Sequence, residues 1–107
     1  MLKADAPIEQ IAKEAVDFLS KYIRVEKVIL FGSYGYGTPR KDSDFDIAVI
    51  SEDFEKMSVL EKIDLFARAS VMVDSRVELV GFSKREFLNP ESPSLLRIIK
   101  EKGKVIF

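Results

Sequence analysis

Cysteine is missing from this chain, and so is histidine. The first absence excludes disulfides, a thiolate nucleophile and a cysteine-based zinc site. The second removes the commonest general base and with it the Ser-His-Asp arrangement. Any catalysis must run on carboxylates, hydroxyls, lysine, arginine and metal. Long hydrophobic runs are lacking too: nothing approaches the ~18 apolar residues of a membrane-spanning helix. Met1–Pro7 is too short and polar for a secretory signal, so a cytoplasmic setting with no membrane partner is expected. Charge of one sign is also scarce, since 17 basic and 18 acidic residues leave a net charge of −1. A strong direct grip on nucleic acid feeds on clustered Lys and Arg, so neither that nor templated polymerisation is expected.

What remains is an ordinary globular composition, 47% hydrophobic and 33% charged, over 107 residues. That length suits one domain, 1–107, with a core that needs no staples. Pro7 can open a helix, and Ile8, Ile11, Ala12, Ala15, Phe18, Leu19, Tyr22 and Ile23 recur at three and four to give it one apolar face. Val25–Phe31 reads as a buried strand, Ser33–Gly37 as a short helix stopped by Thr38-Pro39, and Asp44–Ile50 as a second strand. Ser58-Val59-Leu60-Glu61 matches a capping box and opens a helix to about Val73, with Leu60, Ile63, Phe66, Ala67 and Ser70 expected on its inner side. Arg76–Val80 is a third strand and Lys84–Leu88 a short helix before the Asn89-Pro90 turn. Ser92-Pro93 is expected to cap a last helix, stopped by Gly103, and Lys104–Phe107 forms a final strand. The order α-β-α-β-α-β-α-α-β predicts an α/β (α+β) fold, a small mixed sheet with flanking helices.

The stretch Val28–Ser51, VILFGSYGYGTPRKDSDFDIAVIS, holds the chemistry. Ten residues separate Gly32-Ser33 from Asp44-Phe45-Asp46. On a strand, Asp44 and Asp46 project from one face. Carboxylates so close raise each other's pKa unless a cation sits between them. Hard oxygen ligands of this kind suit Mg²⁺, which completes its shell with water and substrate phosphate. Gly-Ser after the first strand supplies what a phosphate needs: close backbone approach, N–H donors and a hydroxyl. The glycines fit neither the dinucleotide fingerprint nor a P-loop, because Gly32, Gly35 and Gly37 are in the wrong order and no GK[ST] follows.

Each of these residues also has a plainer reading. The two aspartates could be polar residues entering a strand, but Asp46 lies between Phe45 and Ile47, where a buried unpaired charge is costly. Ser33 makes a good helix N-cap as well as a phosphate ligand. Arg40 and Lys41 flank the loop and can reach a triphosphate, or can simply be solvated. Tyr34 and Tyr36 are expected to pack on the sheet edge. Glu78 interrupts Val77-Glu78-Leu79-Val80, so it is either an outward residue sharing a face with Arg76 and Val80 or a third carboxylate of the site.

Gly-Ser, ten residues and Asp-x-Asp, placed between two predicted strands, resemble the signature of the DNA polymerase beta-type nucleotidyltransferase superfamily. Gly37, Ser43 and the apolar Ile47–Ile50 also sit where that pattern has them. Within it, nearly the whole chain resembles the minimal nucleotidyltransferases, small proteins often encoded beside a HEPN-domain toxin. The resemblance implies ATP as substrate and two Mg²⁺ ions as cofactor. It places Asp44 and Asp46 as metal ligands and catalytic residues, with Gly32 and Ser33 binding nucleotide; Arg40 and Lys41, from their place beside the loop, are the further nucleotide-binding candidates. The family's third metal ligand falls at Glu78, where Asp is commoner; Asp74 is the distant alternative. It further implies an antitoxin that transfers AMP to a tyrosine of its HEPN partner in a hetero-complex. Two other readings stand beside it: a non-catalytic module that masks its partner sterically, and, third, a small-molecule nucleotidyltransferase. Homodimerisation is compatible with the sequence, though no motif demands it.

Overall fold

The computed structural model describes residues 8–35, 37, 44–90 and 94–107. Helix α1, Ile8–Leu19, buries Ile11, Ala12, Ala15, Val16 and Leu19, the three-and-four stripe of the sequence. Strand β1, Lys27–Phe31, follows and runs into a four-residue helix α2, Gly32–Gly35. Strand β2, Phe45–Ile50, pairs antiparallel with β1. Helix α3, Val59–Met72, then leads to β3, Val77–Phe82, which lies parallel to β2. Helices α4, Lys84–Leu88, and α5, Leu95–Lys102, precede a short β4, Lys104–Val105, antiparallel to β1 on its other side. The sheet order is β3-β2-β1-β4, the mixed sheet with flanking helices expected.

Strand alternation divides the core in two. Val28, Leu30, Phe45, Ile47, Val49 and Val77 face α1 and α3 in the larger cluster. Ile29 and Ala48 point the other way, where Ile99 of α5 covers them with Phe31, Val80, Phe82 and Phe87 beside it. Each fully buried Ile or Leu contributes roughly 1.5–3 kcal/mol over leaving it in water. Asp46 and Glu78 belong by alternation to the second face, beyond the reach of the larger core.

Several ends are fixed as the sequence predicts. The Ser58–Glu61 capping box is present in both directions, Ser58 Oγ accepting from Glu61 N at 3.1 Å and Glu61 accepting from Ser58 N at 2.9 Å. A second box, Ser83–Glu86, caps α4 in the same way. Helix α5 is capped by Ser94, not by Ser92-Pro93, which lie outside the described residues, as does Pro7. The inner side of α3 also differs: Leu65 and Ala69 are buried, whereas Leu60 and Ile63 are exposed. A 3₁₀ turn, Glu52–Glu55, was not anticipated; it drops Phe54 into the core, edge-on to Phe66 with ring centroids 5.7 Å apart.

Gly81 lies against that aromatic pair. A β-carbon there would come within 2.7 Å of Phe66 Cζ and 2.9 Å of Phe54 Cε2. Gly81→Ala should therefore lower the stability by ~1–3 kcal/mol, the usual cost of overpacking. The urea midpoint reads this directly, and an unchanged midpoint would mean the rings give way freely. Among the described residues no helix is long and apolar enough to cross a membrane.

Candidate active site

Topology brings the three chemistry-bearing segments to one end of the sheet. β1 and β2 are antiparallel, so Phe31 at the end of β1 is opposite Asp46 near the start of β2. β2 and β3 are parallel, so the two starts coincide and Asp46 is opposite Glu78. Asp44 precedes β2 by one residue and is exposed, Asp46 is half-buried, and Glu78 is exposed. Gly32, Ser33, Asp44, Asp46 and Glu78 thus come from three strand ends that meet. Arg40 and Lys41, with Tyr36 and Ser43, lie outside the described residues.

Gly32 shows how closely loop and carboxylate approach. Its φ is +65°, the left-handed region that disfavours a side chain, and a β-carbon there would collide with Asp46 Oδ2. The Gly37 amide donates back to Gly32 O at 3.2 Å and closes the loop. A β-carbon on Gly37 would stand 2.9 Å from Ser33 Cα, so this glycine too lets the loop fold onto itself.

The carboxylates burden one another. Asp46 is held above its ordinary pKa chiefly by burial and further by the charge of Asp44, with a hydrogen bond to Glu78 partly offsetting this. Glu78 is raised by desolvation first, then by the charges of Asp44 and Asp46. A cation placed between such carboxylates would offset this mutual repulsion. Among the described residues no group of three or more His, Cys, Asp or Glu side chains is gathered closely enough to hold a metal ion. An open carboxylate set suits Mg²⁺ better than a closed one, because Mg²⁺ takes one or two carboxylates and fills its octahedron with water and substrate phosphate. The donor chemistry and the glycine-lined approach to Asp46 therefore fit the ion.

A pH dependence follows. Because the folded-state pKa values of Asp46 and Glu78 lie above their ordinary ones, ionisation penalises the folded state. The penalty is absent below the unfolded pKa values, appears as pH rises through them, and is complete above the folded ones. Near neutral pH, Mg²⁺ held by the native carboxylates and not by the unfolded chain should raise the Tm of the protein. That gain should shrink steadily on acidification. Thermal melts with and without Mg²⁺ across the weakly acidic range check it; a gain independent of pH would place the ion elsewhere.

Beneath the carboxylates lies a stack that the sequence did not reveal. Phe45, between the two aspartates and 2% exposed, meets Tyr34 edge-on with centroids 4.8 Å apart. The Arg76 guanidinium sits over the same Phe45 ring, 4.5 Å from its centroid. Asp74 accepts from the Arg76 backbone N at 2.9 Å and from its Nε at 3.2 Å. Phe45 N donates to Arg76 O at 2.8 Å. Tyr34 follows Ser33, Phe45 separates the aspartates, and Arg76 precedes Glu78 by two, so one stack ties together all three segments. Asp74, weighed as an alternative ligand, is spent here on Arg76. Only the expectation that Tyr34 packs on the sheet pointed this way.

The described nucleotidyltransferase domain family matches residues 9–106. A Methanocaldococcus jannaschii protein, MJ0604, named as a candidate protein adenylyltransferase, is 32% identical over 102 residues, covering 92% of this chain and 97% of the relative. Among solved structures, a chain of a toxin–antitoxin complex with AMP-PNP superposes with a TM-score of 0.61 at 26% identity, over 89% of this chain and 71% of that one. A complex of tri-AMPylated Shewanella oneidensis HEPN toxin with MNT antitoxin gives a TM-score of 0.59 at 25% identity, over 92% of this chain and 71% of that one.

Proposed function

This chain belongs to the nucleotidyltransferase domain family, and from that premise we propose that it transfers AMP from ATP to a hydroxyl, in our reading a tyrosine, of a HEPN-domain toxin and so acts as its antitoxin. The observation that carries the reading is the junction of Gly32, Asp46 and Glu78: a loop able to approach phosphate, abutting carboxylates paired across β2 and β3. The toxin–antitoxin complexes among the similar structures, one with AMP-PNP and one with AMPylated toxin, support the choice of nucleotide and acceptor.

Each residue has a part in this scheme. Gly32 N–H and the Ser33 hydroxyl hold the triphosphate tail, with Arg40 and Lys41 assigned to the same task. Asp44 and Asp46 would hold Mg²⁺ in common, and Glu78 would complete the acceptor side. When bound, the ions neutralise the triphosphate and lower the pKa of an acceptor hydroxyl. The carboxylates fix where that hydroxyl stands in line with the α-phosphorus, and the Phe45 stack fixes the carboxylates. The hydroxyl oxygen bonds to phosphorus as the bond to the β-phosphate breaks; pyrophosphate leaves and the hydroxyl proton passes to solvent. No histidine is required.

The test is the intact mass of the adjacent-gene product, or failing that of a co-purifying protein, after incubation with the chain, ATP and Mg²⁺. Gain of one or a few AMP units, absent with Asp44→Asn plus Asp46→Asn, is the expected result. A stable, neutralised complex with no mass gain would establish steric masking instead.

A further inference from the structure

Arg76 engages Phe45 twice, through the guanidinium over its ring and through the carbonyl that accepts from Phe45 N. Asp74 holds the same guanidinium by a fork: Nε donates to Oδ1 at 3.2 Å and Nη2 to Oδ2 at 3.3 Å. Asp74 also accepts from two backbone amides, Arg76 N at its Oδ1 and Val77 N at its carbonyl, so the turn into β3 is closed on itself. The pair is poorly hydrated, with the Asp74 side chain 5% exposed and that of Arg76 20%. Replacing such a pair by apolar side chains of similar volume is often neutral or stabilising. Stability alone therefore does not call for an arginine here. What the guanidinium adds is direction, a flat face for the ring and a rigid fork for the carboxylate.

We propose that Arg76 is a positioning residue: braced by Asp74 and acting through Phe45, it sets Asp44 and Asp46 against Glu78 in the arrangement that shares a cation. The inference rests on reading these carboxylates as the metal site of the proposed AMP transfer. The ladder between β2 and β3 pairs Asp46 with Glu78, but it begins at Phe45 and Val77. Asp44 precedes it, so no strand pairing holds that carboxylate in place. Its nearest fixed point is Phe45, and a shift of Phe45 carries the aspartates on both sides of it. Arg76 stands at the matching point before β3, two residues from Glu78. One side chain thus ties the approach to β2 to the approach to β3. Groups that orient metal ligands without touching the ion typically govern its affinity by about 10–100-fold.

The test is Mn²⁺ binding by the full chain, without nucleotide or acceptor, read as loss of the free-ion electron paramagnetic resonance signal. Asp74→Asn combined with Arg76→Met preserves net charge, the oxygen that accepts from the backbone at 76, and a side chain to rest on Phe45. It lacks both fork and plane, and should weaken Mn²⁺ binding about tenfold at a Tm close to that of the parent. Arg76→Lys keeps the charge opposite Asp74 but not the plane, and should weaken binding by a similar factor. Gly81→Ala, which strains the far end of β3, should lower the Tm and leave Mn²⁺ affinity unchanged. Parental affinity in both Arg76 variants overturns the positioning role and leaves the proposed reaction standing. Parental affinity in Arg76→Lys alone overturns it too, because charge would then suffice. So does an affinity that follows the Tm across all variants, Gly81→Ala included. Binding untouched by Asp44→Asn plus Asp46→Asn would instead remove the metal site, and the proposed reaction would fall with this inference.

Discussion

Replacing Asp44 and Asp46 together by asparagine should end AMP transfer while making the metal-free protein more stable. Asparagine keeps the size and one oxygen of aspartate but loses the charge. Loss of a single preorganised electrostatic group typically costs ~10²–10³ in rate, and two groups sharing one site should bring transfer to background. Stability moves in the opposite direction. Burial and the neighbouring Asp44 raise the pKa of Asp46, and desolvation, followed by the charges of both aspartates, raises that of Glu78. Neutralising the pair therefore removes repulsion that the native state alone must bear. Above the weakly acidic range, the double variant should melt at a higher temperature than the parent in the absence of divalent ions, and Mg²⁺ should no longer raise it. Single-turnover mass spectrometry and paired melts read the two effects separately. A variant that loses activity and also melts lower would show that the aspartates hold the fold together, against the electrostatic account.

The same tension explains what the sequence could and could not disclose. Asp44, Asp46 and Gly32 were legible because their spacing between two apolar runs fixes them at adjacent strand ends, where register does the rest. Helix α1 was legible because it has one apolar side. The start and length of helix α3 were legible too, but its inner side was not, because it has two apolar sides: Leu60, Ile63 and Ala67 repeat as regularly as Leu65 and Ala69, and periodicity does not say which stripe meets the sheet. The choice is tertiary, and Ser70 Oγ donating to Val77 O at 2.7 Å is part of what turns Leu65 and Ala69 inward. The Glu52–Glu55 turn escaped because one apolar residue, Phe54, sets no period. The Ser83–Glu86 box could have been read from S-x-x-E, the pattern recognised at Ser58–Glu61. The Phe45 stack depends on contacts between residues 11 apart, Tyr34 and Phe45, and 31 apart, Phe45 and Arg76, and no local pattern encodes it.

Gly32→Ala should be nearly as damaging to transfer as loss of the carboxylates, through geometry alone. At φ +65° an alanine costs ~1–2 kcal/mol, because its β-carbon crowds the following carbonyl. That same β-carbon overlaps Asp46 Oδ2, so either the loop or the carboxylate must move. Movement of either separates the phosphate-holding backbone from the residue that would share a cation with the phosphate, and small displacements at a reacting centre carry large rate costs. Stability alone would not account for the loss, and Gly81→Ala provides the control. It meets Phe54 and Phe66 at the opposite end of β3 from Glu78, and should cost similar stability while leaving transfer largely intact. Comparing the two variants by urea titration and by initial rate of AMP transfer separates a weakened domain from a displaced site. Equal rate losses at equal stability cost would mean that the reaction senses the fold as a whole, and that the close approach of Gly32 to Asp46 has no part of its own in transfer.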